Sequence, residues 1–89
     1  MALSRLLEYE RSNLDWEMVR SSNLHSVAFV KDFGRLWVRF KDARGAVTST
    51  YLYEGVPTGV YRGLMAAASK GKYHAANIAR GGYAYTPVS

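Results

Sequence analysis

Apolar and polar residues recur with two different periods along the chain, and the changes of period divide it into elements. Leu3, Leu6 and Leu7 lie at helical spacing, which predicts a short amphipathic helix over residues 3–11. From Trp16 onward the period becomes two, as in β-strands. Segments with this second period predict four strands, over residues 16–20, 25–31, 35–41 and 47–53.

The segments between these strands have the composition of turns. Ser21-Ser22-Asn23 follows the first strand and Asp42-Ala43-Arg44-Gly45 follows the third. Asp32-Phe33-Gly34 predicts a hairpin connection in which Gly34 takes a positive φ. Consecutive strands joined by such short turns are expected to pair antiparallel.

The helical period returns after Pro57, a residue that suits the first position of a helix. An apolar stripe then runs to about residue 68, where Ser69-Lys70-Gly71 ends the helix. A second short helix is predicted over residues 72–79, and Tyr83-Ala84-Tyr85 is a candidate edge strand.

The predicted fold class is α+β. A small, bent antiparallel sheet of about four strands packs against two C-terminal helices, and an N-terminal helical arm is added. We expect residues 1–15 to form the arm and residues 16–89 to form the domain. The predicted core consists of Leu36, Val38, Phe40, Leu52, Val60, Leu64, Met65 and Ile78.

Composition limits the domain count and the site chemistry. The chain has 89 residues, of which 48% are hydrophobic, which is enough for one small core. Residues 1–17 carry two basic and four acidic residues, for a net charge of −2. Residues 18–89 carry ten basic and three acidic residues, for a net charge of +7, and a surface of this kind attracts polyanions. The alternative is that this charge serves solubility alone.

Few residues are suited to catalysis or to metal binding. The chain has no Cys and only two histidines, His25 and His74, and it lacks the Gly-x-Ser-x-Gly motif of serine hydrolases. We therefore expect no enzyme activity, no metal and no cofactor. No apolar run approaches the length of a membrane span, and we expect a cytoplasmic protein that does not bind membranes.

Several motifs, taken in order, resemble the KTSC domain, a short module named for its place at the C-terminus of some lysyl-tRNA synthetases. The similarity runs from about Val19 to Tyr85. Its motifs are Ser21-Ser22-Asn23, the strand Leu36-Trp37-Val38-Arg39-Phe40, Tyr51-Leu52-Tyr53 with Val56-Pro57, Ser69-Lys70-Gly71-Lys72-Tyr73, and Asn77-Ile78 with Arg80.

The chain departs from the family pattern at two places. The position after Tyr73 is usually aromatic in the family and is His74 here, and the turn over residues 42–46 is a residue or two longer. KTSC modules also occur as free-standing proteins of bacteria and phages. The attachment of such modules to a tRNA-charging enzyme implies RNA binding, by association only.

Alternation along the third strand predicts a basic and aromatic stripe on one of its faces, formed by Arg35, Trp37, Arg39 and Lys41. Such a stripe is suited to contacting phosphates while a ring stacks on a base. The alternative is a solvated sheet face in which Trp37 packs under the N-terminal helix.

The segment Ser69-Lys70-Gly71-Lys72-Tyr73 is a second candidate, because a Ser at a helix start, two lysines and a glycine suit an anion. Asn77 and Arg80 would project from the same helix. The alternative is a plain helix–helix turn in which Gly71 is left-handed.

Tyr51 and Tyr53 share one face of their strand, where they are suited to stacking on bases or to packing beneath the next helix. The leading hypothesis is a noncatalytic module that binds RNA or another phosphate-bearing ligand. One alternative is a protein-interaction module or inhibitor of a host protein that uses Trp16, Trp37 or the acidic arm. The other is a small-nucleotide sponge or sensor in which residues 69–73 and the tyrosine pair form one pocket.

Overall fold

The structure is a computed structural model, which describes the backbone of residues 2–88 and the side chains of residues 5–88. Helix α1 spans Ala2–Ser12, which confirms the predicted N-terminal helix. Met1 and the side chain of Leu3, both part of the predicted arm, lie outside the described residues. Within the described residues, no helix is long and apolar enough to cross a membrane.

Five antiparallel strands form a single sheet in which every strand pairs with its neighbours in sequence. The α+β class is therefore confirmed, and the candidate edge strand adds a fifth member to the four predicted strands. The strands are β1 (Glu17–Met18), β2 (Leu24–Val30), β3 (Arg35–Lys41), β4 (Val47–Glu54) and β5 (Ala84–Pro87).

The first strand is shorter than the alternation of residues 16–20 predicts. The Ser21 hydroxyl accepts hydrogen bonds from the backbone N–H groups of Asn23 and Leu24, which draws the chain into a turn before β2. At the other end of β2, Lys31–Phe33 form one 3-10 turn that stops at Gly34. Gly34 has φ 62°, as the predicted hairpin connection requires.

Two helices follow the sheet, α2 (Thr58–Ala66) and α3 (Lys70–His74). Helix α2 ends two residues before its apolar pattern does, because Ala67 adopts an extended conformation with ψ 138°. Helix α3 begins two residues earlier than predicted and widens into a π-helical turn over Ala75–Ala79. The predicted second helix is therefore real but is not a uniform α-helix.

The sheet buries a cluster of apolar residues on each of its two faces, whereas the sequence predicted one core. The helix face, which α2 and α3 cover, contains the larger cluster, and the arm face, which α1 covers, contains the smaller one. Buried members on the helix face are Leu24, Val27, Leu36, Val38, Tyr53, Val56, Leu64 and Ile78. Buried members on the arm face are Ala28, Trp37 and Leu52.

The predicted core residues divide between these clusters. Four of them are buried on the helix face, and Leu52 is buried on the arm face. Phe40, Val60 and Met65 are only partly buried at the edge of the helix-face cluster. Alternation along β3 and β4 explains the split, because neighbouring residues of a strand point to opposite faces.

Candidate functional site

The arm face does not present an open basic stripe, because α1 lies over it. Trp37 is 1% exposed, and its Nε1 donates a hydrogen bond of 2.8 Å to Glu10 Oε2. Arg35 forms an ion pair with the same carboxylate, with Nη2 at 2.6 Å from Oε1 and Nε at 2.9 Å from Oε2. The expected role of Trp37 as a stacking ring is thus corrected, since its ring is enclosed beneath the arm.

The charges of this contact stabilise one another. The hydrogen bond from Arg35 lowers the pKa of Glu10, and the hydrogen bond from Trp37 adds to this effect, while burial opposes it. The same hydrogen bond raises the pKa of Arg35. Both groups are therefore ionised at neutral pH, and Glu10 connects α1 to β3 through two side chains at once.

The two remaining basic residues of β3, Arg39 and Lys41, differ in their contacts. The Arg39 guanidinium carbon lies 3.8 Å above the ring of Trp16, a cation–π contact. Lys41 is half-buried at the end of β3, where its backbone N–H donates to the Asn23 carbonyl at 2.9 Å. Arg35 and Arg39 consequently already have partners within the protein, which an RNA phosphate would have to displace.

The segment over residues 69–73 forms the start of α3. Ser69 is its N-cap, and its Oγ accepts a hydrogen bond from the Lys72 N–H at 3.4 Å. Lys70 turns back and donates from Nζ to the Ala67 carbonyl at 3.0 Å. The two lysines therefore differ. The Lys70 ammonium group is hydrogen-bonded to the segment that connects α2 to α3, whereas Lys72 is exposed.

Gly71 does not adopt the expected left-handed conformation, because it lies within α3. A Cβ at this position would lie 2.5 Å from Asn23 Oδ1, so a larger residue would require the exposed Asn23 side chain to shift. Tyr73 is half-buried, and its phenol packs over Gly63 of α2. These packing contacts explain much of the residue choice in this segment without a ligand.

Asn77 and Arg80 occupy the π-helical turn and the residue that follows it. The Asn77 Nδ2 donates to the Tyr73 carbonyl at 3.2 Å, which helps to satisfy the widened turn. Arg80 is exposed, and it directly follows Ala79. Ala79 lines the pocket beside the tyrosine cluster, and Arg80 is its neighbour in the chain.

Tyr51, Tyr53 and Tyr85 form a cluster of stacked rings at one end of the helix face, which we call the tyrosine cluster. Ring centroids lie 6.3 Å apart for Tyr51 and Tyr53, and 5.9 Å apart for Tyr51 and Tyr85. Tyr53 and Tyr85 are opposite one another in the pairing of β4 with β5. Tyr53 is 4% exposed, Tyr51 is half-buried and Tyr85 is 60% exposed, so the cluster extends from the core to the surface.

A shallow pocket of about 240 Å³ lies at the tyrosine cluster, lined by the three tyrosines and Ala79. Burial, reinforced by the neighbouring Tyr51 and Tyr85, raises the pKa of Tyr53 to about 12. The Tyr53 phenol therefore keeps its proton at neutral pH. It is suited to donating a hydrogen bond to an anion or to a base edge.

His74 lies beneath the cluster. Its ring is 5.4 Å from Tyr53 and 5.2 Å from Phe40, each in an edge-to-face arrangement. Its Nε2 is buried and has no hydrogen-bond partner among the described residues. Burial lowers the pKa of His74, so the ring is neutral and acts as a packing element in a position where the family usually has an aromatic residue.

The structure divides most of the twelve candidate residues between the two faces of the sheet. Arg35, Trp37 and Arg39 face the arm or lie beneath it, whereas the tyrosine pair and the candidates within residues 69–80 lie on the side of the helix face. Lys41 lies at the end of β3. The tyrosine pocket is lined by Ala79 rather than by residues 69–73, which does not match the single compact pocket expected for a nucleotide sponge. Tyr85 was missed, although its alternation with Tyr83 repeats the Tyr51-Leu52-Tyr53 pattern.

Comparisons with known proteins agree with the motif resemblance. The model of the KTSC domain family matches residues 20–83. A crystal structure of a KTSC domain protein from Yersinia pestis is similar in fold, with a TM-score of 0.74 and 26% sequence identity. The alignment covers 85% of this chain and 99% of that one. The comparison with curated proteins finds no match.

Proposed function

The chain belongs to the KTSC domain family, and we propose that it is a noncatalytic module that binds single-stranded RNA at the tyrosine cluster. One observation carries the proposal: three tyrosine rings cluster from the core to the surface, and the exposed Arg80 follows in the chain the residue that completes their pocket. An exposed aromatic ring together with exposed basic residues is the combination that single-stranded RNA requires.

Stacking would supply the part of the affinity that does not depend on salt. Tyr85 presents a largely exposed ring, and Tyr51 supports that ring from behind at 5.9 Å. A supported ring loses little freedom when a base stacks on it, and every base offers a flat face of suitable size. Since the bases of a duplex already stack on one another, the cluster favours unpaired nucleotides.

Phosphate contacts would supply the part that depends on salt. Arg80 and Lys72 are exposed and lie in the segment that runs beside the cluster. Residues 18–89 carry a net charge of +7, which attracts a polyanion to the domain as a whole. Arg35 and Arg39 are left out of the proposed contact, because each is already engaged with a residue of the N-terminal segment. The proposal includes a cytoplasmic location.

The test is fluorescence anisotropy with a labelled single-stranded RNA and a matched DNA, from about 50 to about 300 mM salt. We expect Tyr85→Ala to weaken RNA binding by about fivefold or more, through the loss of a stacked base. Tyr9→Ala is the matched control, because Tyr9 is 72% exposed on α1, away from the cluster. That control variant should bind RNA as the unchanged protein does.

Charge variants test the phosphate contacts. The double change Lys72→Ala and Arg80→Ala should reduce the slope of log affinity against log salt by about 1.4, at roughly 0.7 for each phosphate on a single strand. The double change Arg5→Ala and Arg44→Ala removes the same charge from exposed positions outside the cluster. Equal effects of the two pairs would overturn the proposed site, since they would indicate attraction by net charge only.

Failure to bind RNA at the lowest salt would overturn the function itself. The alternative of a host protein partner would then be tested by pull-down with the full chain, followed by loss of capture when the acidic arm is removed. A small nucleotide that binds while long RNA does not would favour the sponge or sensor alternative.

A further inference from the structure

An open groove of about 590 Å³ lies between α1 and the end of β2. Its α1 wall includes Leu6 and Tyr9, which are 63% and 72% exposed, and Phe33 of the 3-10 turn, 63% exposed, contributes to the opposite wall. Phe29 and Leu14 add further apolar surface to the lining. Three of the six exposed large apolar side chains within residues 5–88 thus surround one concavity, which is not expected of a surface that only meets water.

The size of the groove suits a small molecule. Sites for small ligands have volumes of about 300–1,000 Å³, and their walls are mostly apolar and aromatic with a few polar groups. Tyr9 and Phe33 supply two aromatic rings to the lining. Phe29 also lies on the lining, but its ring stacks on Tyr61 of α2 on the helix face, with the ring centroids 4.5 Å apart.

The charged side chains on the lining determine whether the groove favours a positively or a negatively charged ligand. The guanidinium of Arg35 is neutralised by its ion pair with Glu10, which leaves the Asp15 carboxylate as a negative charge on the lining. Arg5, Arg11 and Lys31, the other cations adjacent in the chain to lining residues, do not line the groove.

The Phe33 ring already accepts one cation. The Arg35 guanidinium carbon lies 4.4 Å from the centroid of Phe33, and Tyr9 offers a second exposed ring in the same groove. Aromatic walls of this kind attract organic cations more strongly than they attract neutral molecules of equal size. Apolar surface, ring faces and an acidic group therefore favour the same ligand chemistry.

We infer that this groove binds a small organic amine, with its apolar ring between Tyr9 and Phe33 and its ammonium group at Asp15. The site is separate from the tyrosine cluster and takes a cation rather than a polyanion. It requires the docked arm, because α1 forms one of its walls. The inference therefore does not depend on RNA binding.

The test uses three probes that share one ring system and differ in charge: 2-naphthylmethylamine, 2-naphthylmethanol and 2-naphthoate. Binding to the full chain is followed by NMR chemical-shift changes of backbone amides at fixed pH and low salt. We expect the amine to bind about threefold or more tighter than the alcohol, and the acid to bind most weakly. The largest shifts should map to α1, the end of β2 and the 3-10 turn.

Two variants with matched controls separate the contributions of charge and ring. Asp15→Asn should remove most of the preference for the amine over the alcohol, whereas Glu8→Gln, an exposed acid of α1 outside the lining, should preserve it. Tyr9→Ala should weaken binding of the amine and the alcohol together. Tyr85→Ala should leave amine binding unchanged, which is the reverse of the pattern expected for RNA.

The inference is overturned if the acid binds as tightly as the amine, because the net charge of +5 would then dominate over the groove. It is also overturned if none of the probes binds at millimolar concentration, or if the shifts map outside the groove. Each result is distinct from failure of the RNA proposal, because Tyr9→Ala and Tyr85→Ala affect one ligand each.

Discussion

The two faces of the sheet are closed by different kinds of contact. On the helix face, apolar side chains from α2 and the π-helical turn meet apolar side chains of the strands, with Leu64 and Ile78 almost fully buried. On the arm face, Trp37 lies beneath α1, and Glu10 joins Trp37 and Arg35 to the arm by hydrogen bonds and charge. The first contact is non-directional, whereas the second depends on a few atoms in set positions.

The two faces of the sheet also differ in how far the residues that cover them fall within the part of the chain that matches the family model. All the buried members of the helix-face cluster fall within residues 20–83, the part that matches the KTSC model. The arm face is covered partly by residues outside that part, among them Leu7, Leu14, Trp16 and Val88. The buried helix-face cluster therefore lies wholly within the matched part, whereas the arm covers the other face of the same sheet partly from outside it.

The largest expected effect is on the helix face. Leu64→Ala should lower the free energy of unfolding by about 2–5 kcal/mol, because it leaves a cavity at a fully buried position between α2 and the sheet. Leu6→Ala makes the same chemical change on α1, where the side chain is 63% exposed, and should change stability by no more than about 0.5 kcal/mol. Urea unfolding followed by circular dichroism measures both. Similar losses would contradict the contrast between core and arm.

The next effect concerns attachment of the arm. Glu10→Gln should weaken docking of α1 by about 1–3 kcal/mol, since it removes the charge that holds Arg35 and one acceptor for Trp37. Amide hydrogen exchange should become faster in α1 and stay unchanged in α2. Glu8→Gln, an exposed substitution on the same helix, is the control. Faster exchange throughout the domain would show that the two faces are not independent.

This contact also has a defined pH dependence. Because the folded-state pKa of Glu10 lies below 4.5, its contribution is complete above pH 4.5 and is lost as pH falls through the folded value. The arm should therefore begin to detach only in acid, and Glu10→Gln should abolish that acid step.

The smallest expected effect is on the pH dependence of stability that arises from the helix face. His74 has a lowered pKa, so the unfolded chain takes up a proton near pH 6.5 while the folded protein does not, and stability falls as pH drops below that value. His74→Phe should remove this loss and the unpartnered Nε2, while preserving the edge-to-face contacts with Phe40 and Tyr53. Unfolding in urea between about pH 8 and about pH 5 tests this. His25→Gln controls for removal of a histidine, and an unchanged pH slope in His74→Phe would contradict the assignment.

Local patterns predicted most of the elements correctly. Alternation located β3 within its true bounds, and turn residues located the hairpin connection at Gly34. The predictions failed at the ends of elements, as at β1 and at α2, where a Ser21 hydroxyl and an extended Ala67 stop the repeat. Such endings depend on individual hydrogen bonds that periodicity does not describe.

The candidate sites were predicted less well than the fold. The basic stripe of β3 was correct as a pattern, but Glu10, 25 residues from Arg35 and 27 from Trp37, occupies the groups of both side chains that would have bound a ligand. The tyrosine pair was also correct as a pattern, and its third member, Tyr85, is added only when β5 pairs with β4. In both cases the missing information was a contact between segments distant in the chain.

The sequence by itself determined the family, the α+β class and the alternation that gives each strand two distinct faces. Only the tertiary structure decided which element covers each face, and therefore which charged and aromatic residues remain accessible. The physical reason is that local patterning specifies which side of a strand is apolar or basic. The partner for that side is chosen by packing and charge over the whole chain, and this choice buries Trp37 and leaves Tyr85 at the surface.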